Sequence, residues 1–140
     1  MERAKPDFSG EWILNREASS LSPGADAMQS ATLQIDHREP TFRYKGTFVS
    51  ASGEVKPEYE LQTDGREVTA TQPDMSIVSR LAWDGDALVA SWLIRRPDGE
   101  MSIRFRHELI DGGRRLRASE QVRAPTHDQD NVWIFERRGS

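Results

Sequence analysis

Apolar and polar residues alternate with a period of two over most of this chain. Leu33, Ile35 and His37 alternate with Gln34, Asp36 and Arg38, and Phe42, Tyr44, Gly46 and Phe48 with Arg43, Lys45 and Thr47. Met101, Ile103, Phe105, His107 and Leu109 alternate with Ser102, Arg104, Arg106 and Glu108, and Leu116, Ala118, Glu120 and Val122 with Arg117, Ser119, Gln121 and Arg123. Successive side chains of a strand point to opposite faces, so this period predicts half-buried antiparallel strands rather than helices. Asp64-Gly65, Asp84-Gly85-Asp86, Asp98-Gly99 and Asp111-Gly112-Gly113 separate the runs as tight hairpins, with Glu39-Pro40 as a fifth turn. Ten strands are expected, near 8–15, 31–38, 41–50, 55–63, 66–72, 76–84, 87–96, 100–110, 114–123 and 131–138. Only 16–30 lacks the pattern. There Ser22-Pro23 reads as an N-cap followed by proline at the first helical position, which predicts a short helix or compact loop.

Two-residue loops give registers that check one another. A loop at 112–113 pairs Leu109 with Leu116 and His107 with Ala118. One at 98–99 pairs Ile94 with Ile103, Trp92 with Phe105 and Ala90 with His107. One at 85–86 pairs Trp83 with Leu88, Leu81 with Ala90 and Ser79 with Trp92. One at 64–65 pairs Leu61 with Val68 and Tyr59 with Ala70, and one at 39–40 pairs His37 with Phe42 and Ile35 with Tyr44. Every hairpin then puts its apolar set on one face, which a one-residue slip would destroy. The other face carries Arg43, Lys45, Glu60, Arg80, Arg104, Arg106, Arg117 and Arg123. With one helix at most, nothing can cover ten strands, so the sheet must close on itself or fold into a sandwich, and a meander with an even strand number favours the barrel. The expected fold is all-β, a single up-and-down antiparallel β-barrel over 1–140, with a short helical or loop lid between its first two strands. Its last strand pairs with its first. Turns at 39–40, 64–65, 85–86 and 112–113 seal one end, and the longer connections form a mouth at the other.

Composition narrows the function. The 140 residues carry 19 Lys plus Arg against 23 Asp plus Glu, a formal charge of −4, which argues against a basic nucleic-acid platform. Glu108 and Glu136 dilute the arginines of the outer face, and no aromatics interleave with them for base stacking. Four Trp, five Phe and two Tyr argue for a folded core despite a charged fraction of 30%. No apolar run approaches the roughly 18 residues of a membrane helix. The start, Met1-Glu2-Arg3-Ala4-Lys5-Pro6-Asp7, lacks a signal-peptide core, so the expectation is a cytoplasmic protein, monomer or homodimer. The absence of cysteine removes disulfides, thiolate nucleophiles and Cys-based metal sites.

The first strand reads Phe8-Ser9-Gly10-Glu11-Trp12, and the chain closes on Trp133, Phe135 and Arg137. This Gly-x-Trp opening resembles that of the calycins, the lipocalins and fatty-acid-binding proteins, in which the tryptophan plugs the closed end of a barrel. Ten strands and a lid after the first strand resemble the fatty-acid-binding branch. The whole layout is similar to small bacterial lipocalin-like proteins of unassigned function. The resemblance implies a ligand cavity inside the barrel. Of the Arg and Tyr that bind carboxylate near the last strand of that branch, Arg137 is the nearest counterpart, and it has no partner Tyr. The axial histidine of related haem-binding barrels has only His127 near its place, in a polar loop that reads as solvated.

Parity places His37, Tyr44, Tyr59, Ser79, His107 and Glu120 on the inner face, with Trp12, Phe42, Phe48, Trp83, Trp92, Phe105, Trp133 and Phe135. His107 and Glu120 are the sharpest pair. They are diagonal neighbours on adjacent strands, with Cα atoms about 7–8 Å apart. A carboxylate bonded to one imidazole nitrogen raises the basicity of the other, which suits proton transfer in an isomerase or cyclase. The pair equally reads as a mutually satisfied buried couple that orients a ligand. His37, beside the 39–40 turn, reads as structural, and a metal held by His37, His107 and Glu120 lacks ligand spacing. No cofactor is expected. The leading expectation is binding of a small, largely apolar or aromatic molecule by Tyr44, Phe48, Tyr59, Ser79, Trp92, Phe105, His107 and Glu120. The alternatives are a barrel enzyme using His107 and Glu120, and a structural protein with a filled core.

Overall fold

The computed structural model describes residues 6–22, 27–126 and 128–138. Eleven strands form: β1 (Gly10–Leu14), β2 (Met28–Arg38), β3 (Thr41–Ser50), β4 (Gly53–Val55), β5 (Glu58–Gln62), β6 (Val68–Gln72), β7 (Met75–Asp84), β8 (Ala87–Arg96), β9 (Gly99–Ile110), β10 (Arg115–Arg123) and β11 (Asp128–Arg137). They make one antiparallel sheet in the order β4-β3-β2-β1-β11-β10-β9-β8-β7-β6, with β5 also on β3. First and last strands pair, Trp12 opposite Arg137 and Leu14 opposite Phe135. The result is an up-and-down barrel-like sheet that is not strictly closed, its seam lying between β5 and β6.

Most hairpins have the expected register. His37 faces Phe42, Trp83 faces Leu88, Ser79 faces Trp92, and His107 faces Ala118. Three features differ. The strand expected over 55–63 is two strands, because Pro57 lacks the N–H that a continuous ladder needs. The turn after β8 lies at Pro97-Asp98, so Trp92 faces Ile103 and Leu88 faces His107. This two-residue shift keeps every side chain on its expected face. The hairpin at Asp64-Gly65 does not form. Asp64 instead bridges to Ala82 on β7, and the Gly65 N–H donates to the Leu81 carbonyl (2.9 Å). The chain therefore crosses to β7 at this turn, β6 continues along β7, and β5 stays with β3.

The expected lid is only partly described, since residues 23–26 lie outside the described set, as does His127. Residues 15–22 form turns rather than a helix and run along β11. Ser20 and Val132 exchange two backbone hydrogen bonds of 2.8 Å, and the Ile134 N–H donates to Ser19 Oγ.

The apolar face builds one core. Phe8, Trp12, Phe42, Leu81, Leu88 and Leu116 are fully buried, and Trp133 and Phe135 point inward as parity required. At the closed end Trp12 Nε1 donates to the Phe8 carbonyl (3.1 Å). The Arg137 guanidinium lies 4.3 Å from the Trp12 ring, a cation–π contact, and donates to the Ser9 and Gly113 carbonyls (2.8 and 3.0 Å). Gly10, at φ +139, makes room for it, because a Cβ there would sit 2.8 Å from Arg137 Nη1. On the outside, Arg106 pairs with Asp84, Arg117 with Glu108, Arg115 with Glu136 and Arg123 with Asp130. These exposed pairs add little stability. Truncating the plug should be costly: Trp12→Ala is expected to lose about 3–5 kcal/mol of unfolding free energy, measured by denaturant titration.

Candidate functional site

A cavity of about 450 Å³ opens between the β3/β5 side of the sheet and the β7–β9 side, in the range of small-molecule sites. Tyr44 and Phe48 of β3 and Tyr59 of β5 form one wall, with Pro57 and Glu58 at its edge. Ile77 of β7, Trp92 and Ile94 of β8, and Ile103, Phe105 and His107 of β9 form the other. Strand parity aims these side chains inward, except for Glu58, which pairs with Lys45 on the outward parity, and Pro57, which lies between strands. Six of the eight residues expected from sequence therefore meet around one space: Tyr44, Phe48, Tyr59, Trp92, Phe105 and His107.

The walls are aromatic and ordered by stacking. Tyr44 and Tyr59 lie parallel, with ring centroids 4.8 Å apart and planes at 16°. Phe105 and His107 also stack, at 5.8 Å and 16°. Trp92 stands edge-on to Tyr59 at 5.2 Å and to Phe105 at 6.2 Å. Such edge and offset contacts are the preferred aromatic geometries, so the walls hold their shape.

Two polar atoms in these walls are buried without a hydrogen-bond partner, Tyr59 Oη and His107 Nδ1. Burial lowers the His107 pKa to about 4, against a smaller opposing effect of a hydrogen bond to the Leu88 backbone, so the ring is neutral at neutral pH. Burial raises both tyrosines, with the Glu120 charge adding to the effect at Tyr44 and Tyr44 adding to it at Tyr59.

Ser79 and Glu120 are not among the residues lining the cavity. Ser79 faces Trp92 in the register. Glu120 faces Phe105 and Asn131 across its two neighbouring strands. Its Oε1 accepts hydrogen bonds from Asn131 Nδ2 (3.0 Å) and Trp133 Nε1 (2.9 Å). The expected hydrogen bond from His107 to Glu120 is therefore not made: the carboxylate serves the neighbouring strand instead. Asn131, which the sequence reading overlooked, is buried at 3% exposure, and its Oδ1 accepts from the Ser22 N–H (2.7 Å). Its position on the same parity as Trp133 and Phe135 was the available signal. Glu120, Asn131 and Ser22 thus tie β10, β11 and the segment after β1 together.

His37 sits at the closed end. Its Nδ1 accepts from the Phe8 N–H (3.2 Å), and its Nε2 lies 3.6 Å from Glu39 Oε1. Glu39 also accepts from Thr63 Oγ1 and Trp83 Nε1. The Phe42 ring, with centroids 5.4 Å from His37 and 6.3 Å from His107, packs against both imidazoles. Neither His37 nor Glu120 joins His107 in a ligand set, and no cluster of three metal-binding side chains occurs among the described residues.

Ile77, Ile94 and Ile103 share the inward parity and were legible as wall. Pro57 and Glu58 were not, because the break between β4 and β5 sets their place.

No protein-family model matches the chain, and no curated protein sequence matches it. Solved structures do. A variant of the fluorescent protein UnaG superposes with a TM-score of 0.62 at 17% identity, over 95% of this chain and 97% of that one. A secretory abundant heat soluble protein from Ramazzottius varieornatus gives 0.62 at 14% identity, over 92% and 93%. Zebrafish ileal bile-acid-binding protein, solved with cholic acid, gives 0.57 at 12% identity, over 93% and 98%. These likenesses show the fold alone: the chain has an antiparallel up-and-down β-barrel fold like that of these proteins.

The buried imidazole makes a pH prediction. The folded state lowers the His107 pKa from 6.5 to about 4, so the unfolded chain binds the extra proton between those values. Stability from this residue is complete above about pH 6.5 and is lost as pH falls toward 4. Between pH 7.5 and 4.5 this residue is expected to cost the protein about 2–3 kcal/mol, and His107→Phe should remove that part of the slope in urea titrations.

Proposed function

We propose that this barrel binds a small, largely apolar or aromatic molecule in the cavity that Tyr59 and Trp92 line. One observation carries the reading: an aromatic-walled space of about 450 Å³ runs from the barrel interior to its surface instead of being filled by side chains. Apolar lining with a few polar groups is the usual character of small-molecule sites. The fold likeness to zebrafish ileal bile-acid-binding protein supports the same reading at the level of architecture. Proton-transfer catalysis by His107 and Glu120 is not proposed, because the hydrogen bond it requires is absent and Glu120 is engaged by Asn131 and Trp133.

The cavity site comprises Tyr44, Phe48, Tyr59, Trp92, Phe105 and His107. Contact area comes from the rings that line it. A neutral solvatochromic dye such as Nile red should bind with a blue-shifted emission. Ile103→Trp fills the space and should abolish binding while leaving the unfolding midpoint nearly unchanged. Trp92→Ala should weaken binding by roughly tenfold, about 1.4 kcal/mol. Dye binding that survives Ile103→Trp at full affinity would place the site elsewhere and sink the proposal.

A further inference from the structure

We infer that the outer wall carries a second site, a groove across β7, β8 and β9 in which Arg80 and Arg104 clasp a phosphate monoester over Ser91. It lies on the opposite face of the sheet from the interior cavity.

The strand register builds the groove. Arg80 faces Ser91 and Ser91 faces Arg104, so the three form one row across the sheet. Parity turns all three outward, and two strand spacings set the arginine Cα atoms roughly 10 Å apart. They line a groove of about 390 Å³ together with Ala82, Val89 and Asp84. Ala82 and Val89 face each other in the adjoining row and are half-buried, an apolar floor beside the arginines. Side chains on this wall do reach across β8, since Arg106 of β9 pairs with Asp84 of β7.

Charge sets the arginine row apart. Arg43, Arg106, Arg115, Arg117 and Arg123 each meet a carboxylate on the outer wall. Neither Arg80 nor Arg104 forms an ion pair with a described residue. Asp84 does not serve them. Its carboxyl is held below the usual range mainly by its hydrogen bond from Arg106, with Arg104 acting only at longer range. The row therefore has a cation at each end, a hydroxyl in the middle and no acid of its own.

The donors fit a tetrahedral dianion. Arg80 Nε donates to the Gly65 carbonyl (2.9 Å), which fixes the side chain and leaves its terminal nitrogens without a hydrogen bond to a described residue. Guanidinium forks bind phosphate oxygens in pairs, and the Ser91 hydroxyl supplies a further donor between them. Two uncompensated cations match the charge of a phosphate monoester near neutral pH. The organic part of the ester would lie on Ala82 and Val89.

The test titrates the full chain, labelled with 15N, with phenyl phosphate near pH 8 at fixed ionic strength, following backbone amide and arginine Nε resonances. Shifts should centre on Arg80, Ser91 and Arg104, and phenyl phosphate should bind roughly tenfold tighter than benzoate. Arg104→Gln, an exposed change that breaks no hydrogen bond or ion pair, should weaken binding roughly tenfold. Arg117→Gln, whose arginine Glu108 already holds, should leave it unchanged. Ser91→Glu supplies the missing acid, and should abolish binding and raise the thermal midpoint. The amide spectrum of each variant reports its folding independently. Phosphatidylcholine vesicles with and without phosphatidic acid separate the sources: binding of phenyl phosphate alone assigns a soluble ester, and binding confined to phosphatidic acid vesicles and lost in Arg104→Gln assigns a lipid headgroup. Failure of both probes overturns the inference, as do shifts centred elsewhere, benzoate binding as tightly, or full affinity retained in Arg104→Gln and Ser91→Glu.

Discussion

A single sheet with one apolar face can hide that face only by curling around it. No helix among the described residues lies over this sheet, so the eleven strands themselves must form both wall and lining. That constraint explains why a chain with 36% hydrophobic residues folds: half of every strand is spent on water and the other half shares one interior. It also explains the plug. A curled sheet leaves two open ends, and the end nearest the tight turns is filled by Phe8, Trp12, Phe42, Leu88 and Leu116. Arg137 caps this plug by covering the Trp12 ring while holding two backbone carbonyls, one on each side of the junction between first and last strands.

The seam between β5 and β6 follows from the same economy of strands. Pro57 interrupts the chain between β4 and β5, and the Asp64-Gly65 crossing hands the next strand to β7. The ladder is therefore lost between β5 and β6. All of β6 is exposed, including Val68 at 48%, because no strand covers its free edge. The cavity lies against the β5 side of this seam, bounded by Pro57, Glu58 and Tyr59. Where the apolar face is continuous it packs solid, and where the sheet parts it leaves room.

The polar groups of the interior divide by location. His37 belongs to the closed end, held by the Phe8 N–H and flanked by Glu39. Glu120 belongs to the network with Asn131, Trp133 and the strap at Ser22. Among the described residues three buried polar atoms have no hydrogen-bond partner: the Tyr59 hydroxyl and His107 Nδ1, on residues that line the cavity, and His37 Nε2 at the closed end, 3.6 Å from Glu39 Oε1. The satisfied polar groups tie the strands and the strap together.

Strand existence, facing and most registers were determined by the sequence itself, because period-two parity is a local property that survives even a two-residue shift, as at Pro97-Asp98. Parity alone put all eight expected site residues on the inner face, and six of them line the cavity. What parity cannot carry is distance along and across the interior. His107 and Glu120 share a face and adjacent strands, yet the carboxylate turns to Trp133 and Asn131, whose donors lie on its other side. Whether Asp64-Gly65 folds back or crosses to β7 depends on a backbone bond to Leu81, a residue far along the chain. The faces of the strands are a one-dimensional pattern; the partner of each polar atom and the width of the cavity are set by non-local contacts, and only the tertiary structure decides them.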